Sequence, residues 1–148
     1  MKPVFDRLLL LTQLIVAAAM TGIIWLVQIV IYPSYLDVGP SEFPAYHERY
    51  TVGISSIVGP LMILEAALTL VALVRFWRSP LRWILVASAI PVGVLWLVTF
   101  AVQVPQHDSL AFAWSETVIL DLIAGNWIRT VLWSLRLALL GLILVRVR

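Results

Sequence analysis

The chain has no cysteine, which excludes disulfides, thiolate metal sites and thiol nucleophiles. Charge is scarce as well: Asp, Glu, Lys and Arg make up 12% of 148 residues, against 62% hydrophobic residues. A soluble domain of this size has no interior large enough to hide so much apolar side chain, so the expected solvent is largely lipid. No glycine-rich phosphate cradle occurs, and Ser55, Ser56 and Ser88 have no histidine at a matching depth, so serine-based covalent chemistry is not expected. Linkers, low-complexity runs and clear internal repeats are also missing. One domain covering residues 1–148 follows.

What is present is apolar and long. Four runs, about Leu8–Ile31, Thr51–Val74, Leu81–Gln103 and Ile119–Val145, each reach the ~20 residues that cross ~30 Å of hydrocarbon at 1.5 Å per residue. They lack the alternation of barrel strands, and backbone groups in lipid must be satisfied within a segment, so helices are predicted. The expected fold is an all-α, integral membrane four-helix up-down bundle. The first run continues unbroken to Ile31, too long for a signal-peptide core, and is read as a retained span.

The few charges set an orientation. Lys2, Arg7, Arg75, Arg78, Arg82, Arg146 and Arg148 flank one side, whereas Asp37, Glu42, Glu48, Asp108 and Glu116 occupy the opposite loops with Arg49 as their one arginine. The positive-inside rule then places both termini in the cytoplasm of a bacterial-type inner (plasma) membrane. The basic isoelectric point is a consequence of this asymmetry, and no nucleic-acid partner is implied.

Local signals refine the layout. The turn from Arg75 to Pro80 is short enough to make the second and third spans antiparallel neighbours, and Ser79-Pro80 reads as a helix start. Tyr32–Ser41 opens and closes on proline breakers and reads as a loop. Ser41 reads as an N-cap with Pro44 in the first turn of a second helix starting near Glu42. Pro91 interrupts the third span, so neighbours must satisfy the carbonyl it frees. Gly53, Ser55 with Gly59, and Ala89 with Gly93 form small-residue faces suited to close helix packing, within the bundle or in a homodimer.

The polar residues inside the spans are the candidate site. Asn126, Arg129 and Arg136 fall on one stripe of the fourth span, with Trp133 between the arginines. Ionisable residues at bilayer depth usually face a bundle interior or a wet cavity. Glu65 lies at a depth close to Arg129, which suggests an ion pair; Arg136, two turns deeper, is the competing partner, although it also has the length to snorkel toward the cytoplasm. Trp25 and Gln28 in the first span, and Trp96, Thr99, Gln103 and His107 along the third, converge on the same level. An outward-opening pocket lined by these groups with Trp127 and Trp133 is predicted. For Gln28, Thr99 or Gln103 taken singly, an interhelical hydrogen bond of ~0.6 kcal/mol is the plainer explanation. A buried ion pair is rarely the cheapest way to stabilise a core, so the charged groups point more to function.

No metal or cofactor is predicted. His47 and His107, with Glu48 or Asp108, share the outer rim and form the alternative, a single metal ion or a haem. His47 and Glu65 lie eighteen residues apart, ~27 Å along a helix axis, and cannot share an ion. No Glu-x-x-His pair of the di-iron type occurs.

Two short motifs carry a resemblance. The run Val104-Pro-Gln-His-Asp-Ser-Leu-Ala111, followed by Asn126-Trp-Ile-Arg-Thr130, resembles a family of small four-span membrane proteins, largely of unassigned function, that includes the anthrone oxygenases. That family has Val-Pro-x-Asn-Asp-x-Leu at the end of its third span and Trp-Asn-x-x-Arg-Thr in its fourth. Here His107 stands in place of the Asn, and Gly125 in place of the Trp. The resemblance implies that Asp108, Asn126 and Arg129 belong to one site. It also implies cofactor-free oxidation of an electron-rich phenolic substrate. His107 or Asp108 would be the base, Asn126 and Arg129 would stabilise the oxyanion, and Trp25, Trp96, Trp127 and Trp133 would stack on a flat ring. Three functions stay open: an oxygenase-like enzyme or binding protein for a lipophilic, aromatic small molecule; a small transporter; and an accessory subunit whose polar stripe mates with another membrane protein.

Overall fold

The computed structural model describes residues 3–146; Lys2 and Arg148, two of the charges in the orientation argument, lie outside them. Four long helices follow one another: α1 (Val4–Asp37), α2 (Phe43–Phe76), α3 (Arg82–Phe112) and α4 (Glu116–Arg146). All four are long and apolar enough to cross a membrane. No strand occurs among the described residues. Each helix packs against the next in chain order, and α4 closes the ring against α1. The fold is an all-α four-helix bundle.

The helices outrun the apolar runs that predicted them. At 1.5 Å per residue, 34 residues of α1 extend about 50 Å, well beyond ~30 Å of hydrocarbon. The segment read as a loop from Tyr32 stays helical to Asp37, with Pro33 at the first turn after an irregularity, where its missing N–H costs nothing. Pro105 is accommodated in the same way in α3. α2 starts at Phe43 with Pro44 in its first turn, but Ser41 does not cap it: its hydroxyl bonds the Glu42 carboxylate instead. At the opposite turn the Ser79 hydroxyl accepts the Leu81 N–H at 3.2 Å, a turn contact ahead of α3, whose own N-cap position is Leu81.

Two helices are locally underwound. In α1 the Tyr32 N–H bonds the Val27 carbonyl, and in α3 the Val104 N–H bonds the Thr99 carbonyl. Each is a single π-type turn, a feature often associated with functional sites. α2 packs against α3 mainly before and after this turn, and the two helices part beside it.

The interior has three layers. One apolar cluster, including Leu10, Ala17, Phe76, Leu85 and Ile143, fills the end that holds the termini. A second, including Met20, Ile24, Tyr35, Phe43 and Leu110, fills the other end. Between them lies a polar layer of Gln13, Glu65, Thr69, Ser88 and Arg136, all buried. Near the termini, Arg75 grips Asp6 through Nη2–Oδ2 at 2.9 Å and Nε–Oδ1 at 2.8 Å, tying α1 to α2. The outward faces are apolar: Ile15, Ile63, Val74, Ile90, Leu97 and Val131 are all more than half exposed. The small-residue faces do not serve close packing within the chain. A Cβ built on Gly53, Gly59 or Gly93 meets nothing within 4 Å.

Candidate functional site

The stripe of α4 points inward: Asn126, Arg129, Trp133 and Arg136 are all buried. The ion pair is the deeper of the two weighed. Arg136 Nε meets Glu65 Oε1 at 2.7 Å, and Glu65 does not reach Arg129. The reason is Trp133, which stands between them. Its Nε1 donates to Glu65 Oε2 at 3.0 Å, while the Arg129 guanidinium lies over its ring at 5.4 Å.

Arg136 is fully used, and it does not snorkel. Besides Glu65 it donates to the Ser88 carbonyl at 2.6 Å and hydroxyl at 3.1 Å, to Thr69 Oγ1 at 2.7 Å and to Gln13 Oε1 at 3.5 Å. Five N–H donors meet five acceptors drawn from α1, α2 and α3. The Ser88 carbonyl neighbours the one at Ala87 that loses its donor at Pro91, so the guanidinium sits where the proline weakens the backbone ladder.

Arg129 is different. It is only 7% exposed. Its Nη1 reaches two neutral amide oxygens, Gln103 Oε1 at 3.3 Å and Asn126 Oδ1 at 3.2 Å. Its Nε is buried without a partner. Asn126 is itself held by Gln28, whose Oε1 accepts from Asn126 Nδ2 at 2.9 Å and whose Nε2 donates to the Ile123 carbonyl. Gln28 and Gln103 both ride on the underwound turns. Gly125 makes room for Gln103: a Cβ there would stand 3.1 Å from its Nε2.

Arg129 reaches a cavity of about 380 Å3, in the range of small-molecule sites. Met20 and Ile24 of α1 and Val58 and Met62 of α2 give it apolar walls, and Tyr32, Gln103, His107 and Asp108 add polar groups. Its lining includes the exposed residues Ser55 of α2 and Phe100, Val104 and Asp108 of α3. The cavity therefore opens sideways, between α2 and α3, where those helices part.

A hydrogen-bonded run ends at this cavity. His47 Nε2 lies 2.9 Å from His107 Nδ1, and His107 Nε2 lies 2.9 Å from the Tyr32 hydroxyl. The imidazoles stack at 5.1 Å. All four tyrosines of the chain, Tyr32, Tyr35, Tyr46 and Tyr50, join this cluster through ring contacts of 5.6 to 6.5 Å. His47 Nδ1 is buried with no partner. A metal ion or haem held by both histidines would first require their facing nitrogens to part. Among the described residues no three His, Asp or Glu side chains converge.

The sequence-predicted residues thus divide. Gln103, His107, Asp108 and Arg129 line the cavity; Gln28 and Asn126 stand behind Arg129. The tryptophans predicted to stack on a ligand do not line it. Trp25 and Trp127, each 43% exposed, meet edge to face on the outside of α1 and α4, and Trp25 donates to Ser134. Trp96 packs on Phe100, and Trp133 is a buried spacer. The cavity lies on the α2 side of the bundle, where the chain offers methionine and tyrosine. Comparison of the chain with protein-family models, curated proteins and solved structures gave no match in any of the three.

Proposed function

We propose that this is an integral membrane protein, with both termini cytoplasmic, that binds a lipophilic small molecule arriving sideways from the bilayer. The observation that carries this reading is the side opening between α2 and α3, set in apolar outer faces and leading to a largely apolar cavity. A molecule dissolved in lipid reaches such a mouth without crossing water. Burial of Asn126, Arg129 and Arg136 inside the chain's own bundle supports it over an accessory subunit, which needs that stripe on its surface.

Gly59 gives the direct test, because it lines the cavity and has open space in front of it. Gly59→Phe is expected to fold and to fill the cavity. Saturable binding of anthracene-type fluorescent probes to the purified protein in a non-ionic detergent should be lost in that variant. Equal binding by the variant would sink the proposal. Mass spectrometry of what co-purifies with each form would identify the natural occupant.

A second reading follows the anthrone oxygenase resemblance and is favoured by the run His47–His107–Tyr32 ending beside Arg129. A base in this run would take a proton from an electron-rich phenolic substrate, Arg129 would hold the oxyanion, and O2 would be the oxidant. Substrate-dependent O2 uptake without added cofactor, lost in His107→Phe, is its expected signature.

A further inference from the structure

We infer that the cavity is built for a molecule whose head is a single anion of the carboxylate kind, paired with the Arg129 guanidinium. This rests on the lipophile site proposed above and names the chemistry of its ligand.

Charge balance supplies the first reason. The buried carboxylates among the described residues are Asp6 and Glu65, and each already holds an arginine, Arg75 and Arg136. Arg129 is left as a buried cation with no carboxylate within ion-pair distance. Asp108 lines the same cavity but stands exposed at its mouth. A lone cation away from water is costly, and the cost disappears when a guest brings one negative charge.

Geometry supplies the second. Gln103 and Asn126 both take Nη1, at 3.3 and 3.2 Å. Nε is buried and unpartnered, and Nη2 has no amide or carboxylate partner, the Tyr32 hydroxyl, itself held by His107, lying beside the guanidinium. These two nitrogens form one edge of the planar guanidinium, the edge that binds two oxygens of a single acid group side by side. The neighbouring amides are fixed by Gln28 and by helix packing, so the fork is oriented before anything binds. Apart from Asp108 at the mouth, the rest of the wall is uncharged and mainly apolar, which suits a body without further ionised groups.

The test compares an acid with its own methyl ester. Two probe pairs serve, cis-parinaric acid and anthracene-9-carboxylic acid, each with its ester, titrated into the full chain in non-ionic detergent. Each acid is expected to bind roughly tenfold or more tightly than its ester, the factor set by a charge-assisted hydrogen-bonded pair. Arg129→Gln should reduce that preference to about twofold or less, and Arg129→Lys should keep part of it, having charge without the fork. Should Arg129→Gln fail to fold, the wild-type preference and the lysine variant still decide. Equal binding of acid and ester, or binding of the esters alone, overturns the inference while leaving a lipophile site in place. Saturable binding of no probe overturns both. Competition then identifies the source. Displacement by phosphatidylglycerol but not phosphatidylcholine points to a lipid head group, and displacement by neither points to a free acid. Equal displacement by both lipids overturns the anionic head.

Discussion

Arg136 and Arg129 sit seven residues apart on one face of α4, equally buried to the eye, and meet opposite surroundings. Around Arg136, three other helices supply a carboxylate, a hydroxyl, an amide and a backbone carbonyl with its neighbouring side chain, so nothing is left to bind. Around Arg129, the protein supplies two neutral amide oxygens at long range, the Tyr32 hydroxyl nearby and then a cavity. A buried arginine is therefore not in itself a sign of function. The informative quantity is how many of its five donors the protein leaves unused. Trp133 keeps the two apart, bonding the carboxylate of one and lying under the cation of the other.

The contrast breaks most visibly if the closed arginine is removed. Arg136→Met strands Glu65 in the core and should cost about 3–5 kcal/mol, read as a large loss in detergent melting or as failure to fold. Replacing both partners, Glu65→Leu with Arg136→Met, should recover most of that loss, since an apolar pair of similar volume is often neutral. Arg129→Met is expected to change melting by no more than ~1 kcal/mol, because it deletes a cation that has no counter-ion, yet to abolish the acid preference. A drop as large as that of Arg136→Met would place both arginines in one structural class. The smallest effect is expected at Gly125→Ala. The new methyl crowds the far end of Gln103, a side chain able to swing aside, so stability should shift by less than ~1 kcal/mol. The ratio of acid to ester binding should still change, because Gln103 helps to aim Arg129.

Four helices were legible from four apolar runs, and the inward stripe of α4 from the spacing of Asn126, Arg129 and Arg136. The ends of the helices were not. Pro33 and Pro105 look like breakers, but each stands in the first regular turn after a π-type irregularity, where the helix tolerates a missing N–H. The choice between Arg129 and Arg136 for Glu65 was also out of reach, since depth along straight helices says nothing of a tryptophan standing between two side chains. Tryptophan is the usual flat partner of an aromatic ligand, so residue type alone points to it and away from the methionines and tyrosines that line the cavity. Which flank of the bundle opens depends on how α2 and α3 diverge, and that leaves no mark on residue type. One signal was available: all four tyrosines fall between Tyr32 and Tyr50, a concentration that marks the aromatic cluster around His47 and His107.

The two π-type turns have a further consequence. A bond from residue 32 to 27, or from 104 to 99, encloses one residue more than a regular α-helical turn, and one residue is worth about 100° of rotation about the axis. Each turn thus acts as a phase shift. Everything nearer the termini keeps the register that assembles the Arg136 layer, and everything beyond is swung round so that Tyr32 and His107 face each other. Shortening either helix by one residue within its turn should restore an ordinary spiral, leave the inner half of the bundle undisturbed, and rotate one end of the hydrogen-bonded run away from the other.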